Sequence, residues 1–157
     1  MGIGDGTRVY DPLFETEFCD VPCRGLYDVS VAKLKIRLEE LLVKPFDDQE
    51  CRRLFLEHFF LFIEEIRLYG GTNVFFLELW IDGSFVTRKE KPGDIDIVIV
   101  CKVGKNVPAG LQAQTIRWCN VYGCDLTYVS TEKAKGICKE IFTANGNGKK
   151  GLVRICF

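Results

Sequence analysis

Two nearly continuous apolar runs, Val74–Ile81 and Ile95–Cys101, constrain the fold of this 157-residue chain more than any other feature. Runs of this kind, the second of them rich in Ile and Val, are typical of buried β-strands. Before Gly71 the apolar residues instead recur at the spacing of an α-helix, so the period changes near that residue. The sequence therefore predicts a helical front part followed by a sheet-forming part.

The first predicted helix covers Val31–Val43. Its apolar residues recur at helical spacing, and they are Val31, Leu34, Leu38, Leu41 and Leu42. Asp28 or Ser30 is the expected N-terminal cap, because short polar side chains accept hydrogen bonds from the free backbone N–H groups there. Pro45 ends the helix.

The second predicted helix begins after Asp47 or Asp48 and ends at Gly70–Gly71. One broad face of it is apolar and aromatic, and consists of Cys51, Leu54, Phe55, Phe59, Phe62 and Ile66. His58 lies beside this face. We assign it no chemistry, because a single histidine in such a position is more often packed or solvated than a ligand.

The remaining elements alternate between helix and strand. They are a helix over Pro108–Cys119, a strand over Val121–Val129, a helix over Thr131–Phe142 capped by Thr131, a turn over Asn145–Gly148 and a strand over Gly151–Phe157. This order predicts an α/β (α+β) domain with a mixed β-sheet packed with helices and preceded by two N-terminal helices. The length fits a single domain over 1–157, with an irregular arm over 1–29, a helical layer over 30–70 and the sheet with its helices over 71–157.

Eight cysteines raise the question of a disulfide framework. Several occupy apolar strand or helix positions, and the first ten residues are polar and glycine-rich rather than a secretory signal, so we expect reduced thiols in a cytoplasmic protein. The spacings of Cys19–Cys23 and Cys119–Cys124 do not match a zinc knuckle, and the chain has one histidine, which disfavours zinc. No apolar stretch reaches the roughly 18 residues of a membrane span, so no membrane partner is expected.

The most informative stretch lies between the two apolar runs. The first run leads into Gly83-Ser84, and after nine intervening residues Asp94-Ile95-Asp96 opens the second strand. A glycine lets the backbone approach a ligand closely, and a serine beside free N–H groups suits a phosphate. Asp94 and Asp96 stand two positions apart on a strand, so their carboxylates share a face and can share divalent cations. The spacing therefore favours a site for metal-bound phosphates.

This arrangement resembles the signature of the DNA polymerase beta-like nucleotidyltransferase superfamily, and especially its minimal single-domain members. The resemblance covers about residues 74–130 and includes a third acid, Asp125, at the front of a later apolar strand. The terminal GKKGLVRICF and the leading helices are also similar to a small group of uncharacterised bacterial and phage proteins of this superfamily. The resemblance implies a polymerase-beta-like nucleotidyltransferase fold.

The resemblance also implies roles for individual residues. Asp94, Asp96 and Asp125 would bind two Mg²⁺ ions, for which Mn²⁺ is an alternative, and the third acid would help to activate an acceptor hydroxyl. Gly83 and Ser84 would hold the triphosphate of the nucleotide. The implied reaction is an in-line attack on the α-phosphate of an NTP, which moves a nucleoside monophosphate to a protein or RNA acceptor as pyrophosphate leaves. Small members of this kind often belong to toxin–antitoxin or defence systems, which implies a dedicated partner protein.

Basic residues near this motif are candidates for binding phosphates. Arg88, Lys89 and Lys91 lie in the spacer, and a solvated charged loop is the alternative for each. Further candidates are Lys149, Lys150 and Arg154. The net charge of −1 conceals a split, because residues 1–70 carry 9 basic and 14 acidic side chains, whereas residues 71–157 carry 12 and 8. The basic excess of the second part would favour a triphosphate.

Two alternatives stay open. Pro92-Gly93-Asp94 also has the composition of a hairpin turn with solvated aspartates, although this leaves Asp96, between two isoleucines, without a partner. The chain could also be a non-catalytic nucleotide-binding or partner-binding module, antitoxin-like, of the same fold. The three acids favour the enzyme, and the absence of a separate acceptor-binding domain favours the module. Asp82 is expected to be structural, and Glu78 has no assigned role.

Overall fold

The computed structural model describes residues 12–14, 16–70, 76–102, 109–145 and 148–157. The helices in these residues are α1 (Asp28–Leu42), α2 (Gln49–Gly70), α3 (Ala109–Tyr122) and α4 (Glu132–Thr143). The strands are β1 (Phe18–Pro22), β2 (Phe76–Asp82), β3 (Ile95–Cys101), β4 (Cys124–Val129), β5 (Ala144–Asn145), β6 (Gly148–Lys149) and β7 (Leu152–Cys156). A short 3-10 helix, Gly83–Val86, follows β2. In the described part of the chain, no helix is long and apolar enough to cross a membrane.

Five of the strands form one mixed sheet, in the order β1-β7-β2-β3-β4. β1 pairs with β7 in parallel and so does β3 with β4, whereas β2 runs antiparallel to both of its neighbours, β3 and β7. β5 and β6 form a separate two-stranded antiparallel sheet. The expectation of a mixed α/β architecture, with two helices before the central strands, is confirmed.

One face of the sheet is apolar and covered by helices. It carries the buried side chains of Ile95, Ile97 and Ile99 from β3. α3 lies on this side, because the thiol of Cys124, the register partner of Ile95, is 3.9 Å from the carbonyl oxygen of Trp118. α2 packs against α3 in turn. The helical layer therefore completes the hydrophobic core with this face.

The opposite face carries acidic residues at one end, next to the buried side chains of Trp80 and Val98. Asp96 projects from it between Asp82 of β2 and Asp125 of β4, its register partners. α4 lies on this side, because its Lys135 pairs with Glu78 of β2 at 3.1 Å. Since α2 and α3 occupy the other side, the carboxylates and these two helices lie on opposite faces of the sheet.

The predicted irregular arm over 1–29 contains a strand. Phe18–Pro22 forms β1, which pairs along its whole length with β7, and Val21 is buried there. The N–H of Leu152 also donates to the carbonyl oxygen of Glu17 at 2.8 Å. Because the segment is short and ends in a proline, its own sequence carries little strand signal, and pairing with the end of the chain determines its structure. Residues 1–11 and 15 lie outside the described residues.

The predicted cap of α1 is wrong. Tyr27 occupies the N-cap position and makes no side-chain capping hydrogen bond. Asp28 lies in the first turn instead and forms an ion pair with Arg67 of α2, and the hydroxyl of Ser30 donates to the carbonyl oxygen of Arg24 at 3.0 Å. Both candidate caps therefore have other partners. The Thr131 cap of α4 is confirmed, since its Oγ1 accepts from the N–H of Ala134 at 3.1 Å.

Element ends differ from the expectations by a few residues. β3 has the predicted bounds, but β4 begins at Cys124 rather than Val121, because α3 continues to Tyr122 and Gly123 then turns the chain with φ +64°. Leu54, expected on the buried face of α2, is 51% exposed. The first residues of two predicted elements, Val74 and Pro108, and the centre of the predicted turn, 146–147, lie outside the described residues.

Arg52 joins the helical layer to the loop after β2. Its side chain, on α2, is fully buried. The guanidinium donates to the carbonyl oxygens of Phe85, Thr87 and Lys89 at 2.6 to 2.8 Å, and to that of Leu42 at 3.1 Å. Burial lowers the pKa of Arg52 to about 10, which leaves it charged at neutral pH. The backbone of the loop that follows Gly83 is thereby held by α2.

Replacement of Arg52 with Met should lower the free energy of unfolding by about 3–5 kcal/mol, because four carbonyl oxygens lose a charged donor in a buried place. The matched control is Arg53→Met, since Arg53 is exposed and pairs with Glu39 at the surface, and it should cost about 0–1 kcal/mol. Urea denaturation of both variants measures the difference. Equal losses would show that the carbonyl contacts of Arg52 do not hold the fold together.

Candidate functional site

Three neighbouring strands bring acidic residues to one end of the sheet. Asp96 of β3 is the register partner of Asp82 on β2 and of Asp125 on β4. Residues paired in this way project from the same face. Asp94 stands two positions before Asp96, immediately ahead of β3. The pairing of the strands therefore brings together Asp82, Asp96 and Asp125, which are distant in sequence, and Asp94 lies beside them.

Asp94, Asp96 and Asp125 lie close enough to hold one cation. Each offers a carboxylate oxygen, and these oxygens are all within 4.8 Å of one another. Asp94 and Asp96 are half-buried, whereas Asp125 is exposed. Clustered carboxylate oxygens are the donors that Mg²⁺ and Mn²⁺ bind. The three predicted ligands are thus brought together, and we call them the aspartate trio.

Burial and repulsion within the trio raise the pKa values of Asp94 and Asp96. Burial, together with the charges of Asp94, Asp82 and Asp125, raises the pKa of Asp96 to about 7. Burial and Asp125 also raise the pKa of Asp94. Such a cluster gains stability from any cation that neutralises it, so its electrostatics fit a divalent metal.

Gly83 places the turn after β2 directly against Asp96. Its φ of +78° lies in the left-handed region that favours glycine. A Cβ at this position would overlap the Asp96 carboxylate, so space also requires glycine here. Ser84 follows in the 3-10 helix, where its carbonyl oxygen accepts from the N–H and the hydroxyl of Thr87 at 3.1 and 2.7 Å. The predicted phosphate-binding turn and the aspartate trio are therefore neighbours.

The basic residues of the spacer differ in their positions. The charge of Lys89 lowers the pKa of Asp94 against the other influences, so this lysine lies near the trio. Lys91, a predicted nucleotide-binding residue, is directed to Asp48 instead, with Nζ 3.6 Å from the carboxylate. Arg88 is exposed on the same loop. Of the two lysines, Lys89 is thus the one whose charge acts on the trio, through Asp94.

Lys150 is the basic residue that sequence reasoning undervalued. Its Nζ forms an ion pair with Asp82 and lies 3.5 Å from the carbonyl oxygen of Gly83. Burial raises the pKa of Asp82, and Lys150 acts in the opposite direction. The available signal was Asp82 itself, because an acid at the end of a buried strand needs a cation. The side chain of Lys149 lies outside the described residues.

Other residues that the sequence singled out have partners within the fold. Arg154 donates to both carboxylate oxygens of Asp20 at 2.7 and 2.9 Å and lies 3.5 Å from Glu78. Glu78, which had no assigned role, therefore belongs to an ion-pair network on the sheet. His58 Nδ1 is 3.0 Å from the carbonyl oxygen of Tyr122, at the end of α3. These residues connect elements of the fold rather than extend the site.

The pKa of Asp96 predicts an unusual pH dependence for the metal-free protein. The pKa of Asp96 is about 7 in the folded state and about 4 in the unfolded state. Between these two pH values the folded state binds more protons, so the free energy of unfolding falls as the pH rises from about 4 through 7. Asp96→Asn should flatten this dependence and stabilise the protein at pH 8 by about 1–3 kcal/mol. Urea denaturation in a chelator from pH 5 to 8 tests this. The exposed Asp47→Asn control should keep the wild-type profile, and a destabilised Asp96→Asn at pH 8 would contradict the prediction.

Comparison with known proteins identifies a family whose function is unknown. Residues 21–156 match the model of a family of unknown function, DUF6932. No curated protein and no solved structure matches the chain at a significant level. The matched range includes the aspartate trio, the glycine turn, Arg52 and Lys150. Because it covers most of the sequence, the chain belongs to the DUF6932 family.

Proposed function

We propose that the chain is a metal-dependent nucleotidyltransferase that moves a nucleoside monophosphate from an NTP to a hydroxyl group of a protein or RNA. The observation that carries this proposal is the convergence of Asp94, Asp96 and Asp125 within 4.8 Å, beside the turn at Gly83. Carboxylates that bind a metal, next to backbone that can approach a phosphate, suit a metal-bound triphosphate. The fold we propose is the polymerase-beta-like one, whose signature the sequence resembles.

The residues of the site would divide substrate binding among them. Asp94, Asp96 and Asp125 would be ligands for Mg²⁺, with Mn²⁺ as an alternative ion. When bound, such an ion supplies a Lewis acid that stabilises negative charge on phosphoryl oxygens. The backbone N–H groups of the turn at Gly83 and Ser84 would bind triphosphate oxygens, and Lys89 would add positive charge nearby. Because Arg52 fixes the loop carbonyls, this turn is held in place before the substrate arrives.

Asp125 would face the acceptor. It is the exposed member of the trio and lies on β4, the last strand in the order of the sheet, where a macromolecule has room to approach. Asp125 would accept the proton of the acceptor hydroxyl while the oxygen of that hydroxyl forms a bond to the α-phosphorus. The bond between the α-phosphorus and the bridging oxygen of the β-phosphate breaks, and pyrophosphate leaves with that electron pair.

Nucleotide binding should depend on both metal and trio. With Mg²⁺, at least one of the four NTPs should raise the melting temperature by several degrees, since a ligand at a hundred times its Kd adds about 2.7 kcal/mol of stability. The double variant Asp94→Asn with Asp96→Asn should lose this shift. A matched control, Asp47→Asn with Glu50→Gln, removes one exposed acid just before α2 and one from its first turn, and should keep the shift. A shift that survives loss of both aspartates would overturn the proposed site.

Transfer itself is tested with α-labelled NTPs. Wild type should label a protein or RNA in a cell lysate, and Asp125→Asn should abolish the label because the acceptor proton has no carboxylate to receive it. Binding without any transfer would instead identify a non-catalytic nucleotide-binding module. A label that persists in Asp125→Asn would remove this residue from the mechanism.

A further inference from the structure

Lys150 is a buried cation at the end of the sheet where Asp82, Asp96 and Asp125 lie. Only 10% of its side chain is exposed, and Nζ is paired with Asp82, whose side chain is 3% exposed. Its backbone N–H donates to the carbonyl oxygen of Thr143 at 2.8 Å, which anchors the residue to the end of α4. Nζ also lies 3.5 Å from the Gly83 carbonyl oxygen. The charge is thereby fixed between the end of β2 and the end of α4.

Asp82 is a fourth carboxylate beside the aspartate trio. It is the register partner of Asp96 and projects from the same face of the sheet. Its charge contributes to the raised pKa of Asp96, so the two carboxylates interact. Among the described residues, however, the group whose oxygens converge within 4.8 Å consists of the trio, and Asp82 stands outside it. What distinguishes Asp82 is its ion pair with Lys150.

We propose that Lys150 is a positioning residue that holds Asp82 away from the metal and so limits the metal ligands to three carboxylates. This inference rests on the proposed function, because it concerns the same metal site. Lys150 acts through Asp82 and need not touch the substrate. Its purpose is to leave ligand positions on the cation open for the triphosphate.

Removal of the lysine charge has two opposite consequences. In Lys150→Met, Asp82 loses its partner and becomes available to a cation held by Asp96 and its neighbours. A fourth carboxylate binds a divalent cation more tightly, but it fills a position that the triphosphate needs and repels its negative charge. Tighter metal binding combined with a higher KM for the NTP is therefore the expected result for this role. Simple loss of structure would instead weaken the binding of both metal and NTP.

The test measures Mn²⁺ binding without nucleotide, by calorimetry and electron paramagnetic resonance. Lys150→Met should bind Mn²⁺ about tenfold more tightly than wild type, while KM for the preferred NTP rises about tenfold. Lys150→Arg should keep both the Mn²⁺ affinity and the KM at their wild-type values, because it retains a positive charge at this position. The double variant Asp82→Asn with Lys150→Met should match wild-type Mn²⁺ affinity, because the extra carboxylate is gone. Lys133→Met, an exposed lysine on α4, is the matched control and should change neither.

Each outcome separates this inference from the proposed function. Unchanged or weaker Mn²⁺ binding in folded Lys150→Met overturns the role of Lys150 alone, as does equally tight binding in the double variant. If Lys150→Met does not fold, Asp82→Asn is the deciding variant. Its Mn²⁺ affinity should equal that of wild type. A tenfold loss of affinity would show that Asp82 already binds the metal in the wild type and would overturn the role of Lys150. A wild type that binds no Mn²⁺ overturns the proposed function and this inference together.

Discussion

The register of β2, β3 and β4 is the constraint on which the site depends. Pairing Asp82 with Asp96, and Asp96 with Asp125, puts like charges side by side at the end of a sheet whose other face is filled by apolar side chains. A shift of one residue would turn these acids into the core, so the hydrophobic pattern itself fixes their position. Lys150 neutralises one of the carboxylates. Burial and the repulsion that remains raise the pKa values of Asp94 and Asp96.

Repulsion of this kind needs a rigid frame, and Arg52 provides part of it. The loop after Gly83 contains no long element of its own, yet three of its carbonyl oxygens are bound by one guanidinium on α2. The turn therefore cannot relax away from Asp96 without breaking charged hydrogen bonds in a buried place. The helical layer thus does more than cover the sheet, because α2 determines the backbone path beside the carboxylates. Stability and the geometry of the site are coupled through this one side chain.

Local patterns predicted what depends on local sequence, and pairing across the chain determined the rest. β3 was predicted to the residue, because a nearly continuous run of Ile and Val that follows a turn leaves little choice. Phe18–Pro22 was missed, since its strand exists only through β7 at the other end of the chain. The pair of Asp82 with Lys150 spans 68 residues and has no periodicity to reveal it. Arg52 stands within an apolar helix face, which signals a buried cation, but its backbone carbonyl partners leave no trace in the sequence.

The charge split between the two parts of the chain has a structural explanation that composition alone did not indicate. Acids of the first part pair with bases of the second, and these pairs are Glu17 with Lys139 at 2.6 Å, Asp20 with Arg154 at 2.7 Å and Asp48 with Lys91 at 3.6 Å. Each exposed pair contributes little energy, roughly 0–1 kcal/mol, but together they occupy cations that a simple count assigns to a triphosphate. The field at the aspartate trio therefore depends on particular side chains, such as Lys89 beside Asp94, rather than on the overall basic excess. Net charge by region is a poor guide to a phosphate site when the opposite charges belong to strands and helices that pack together.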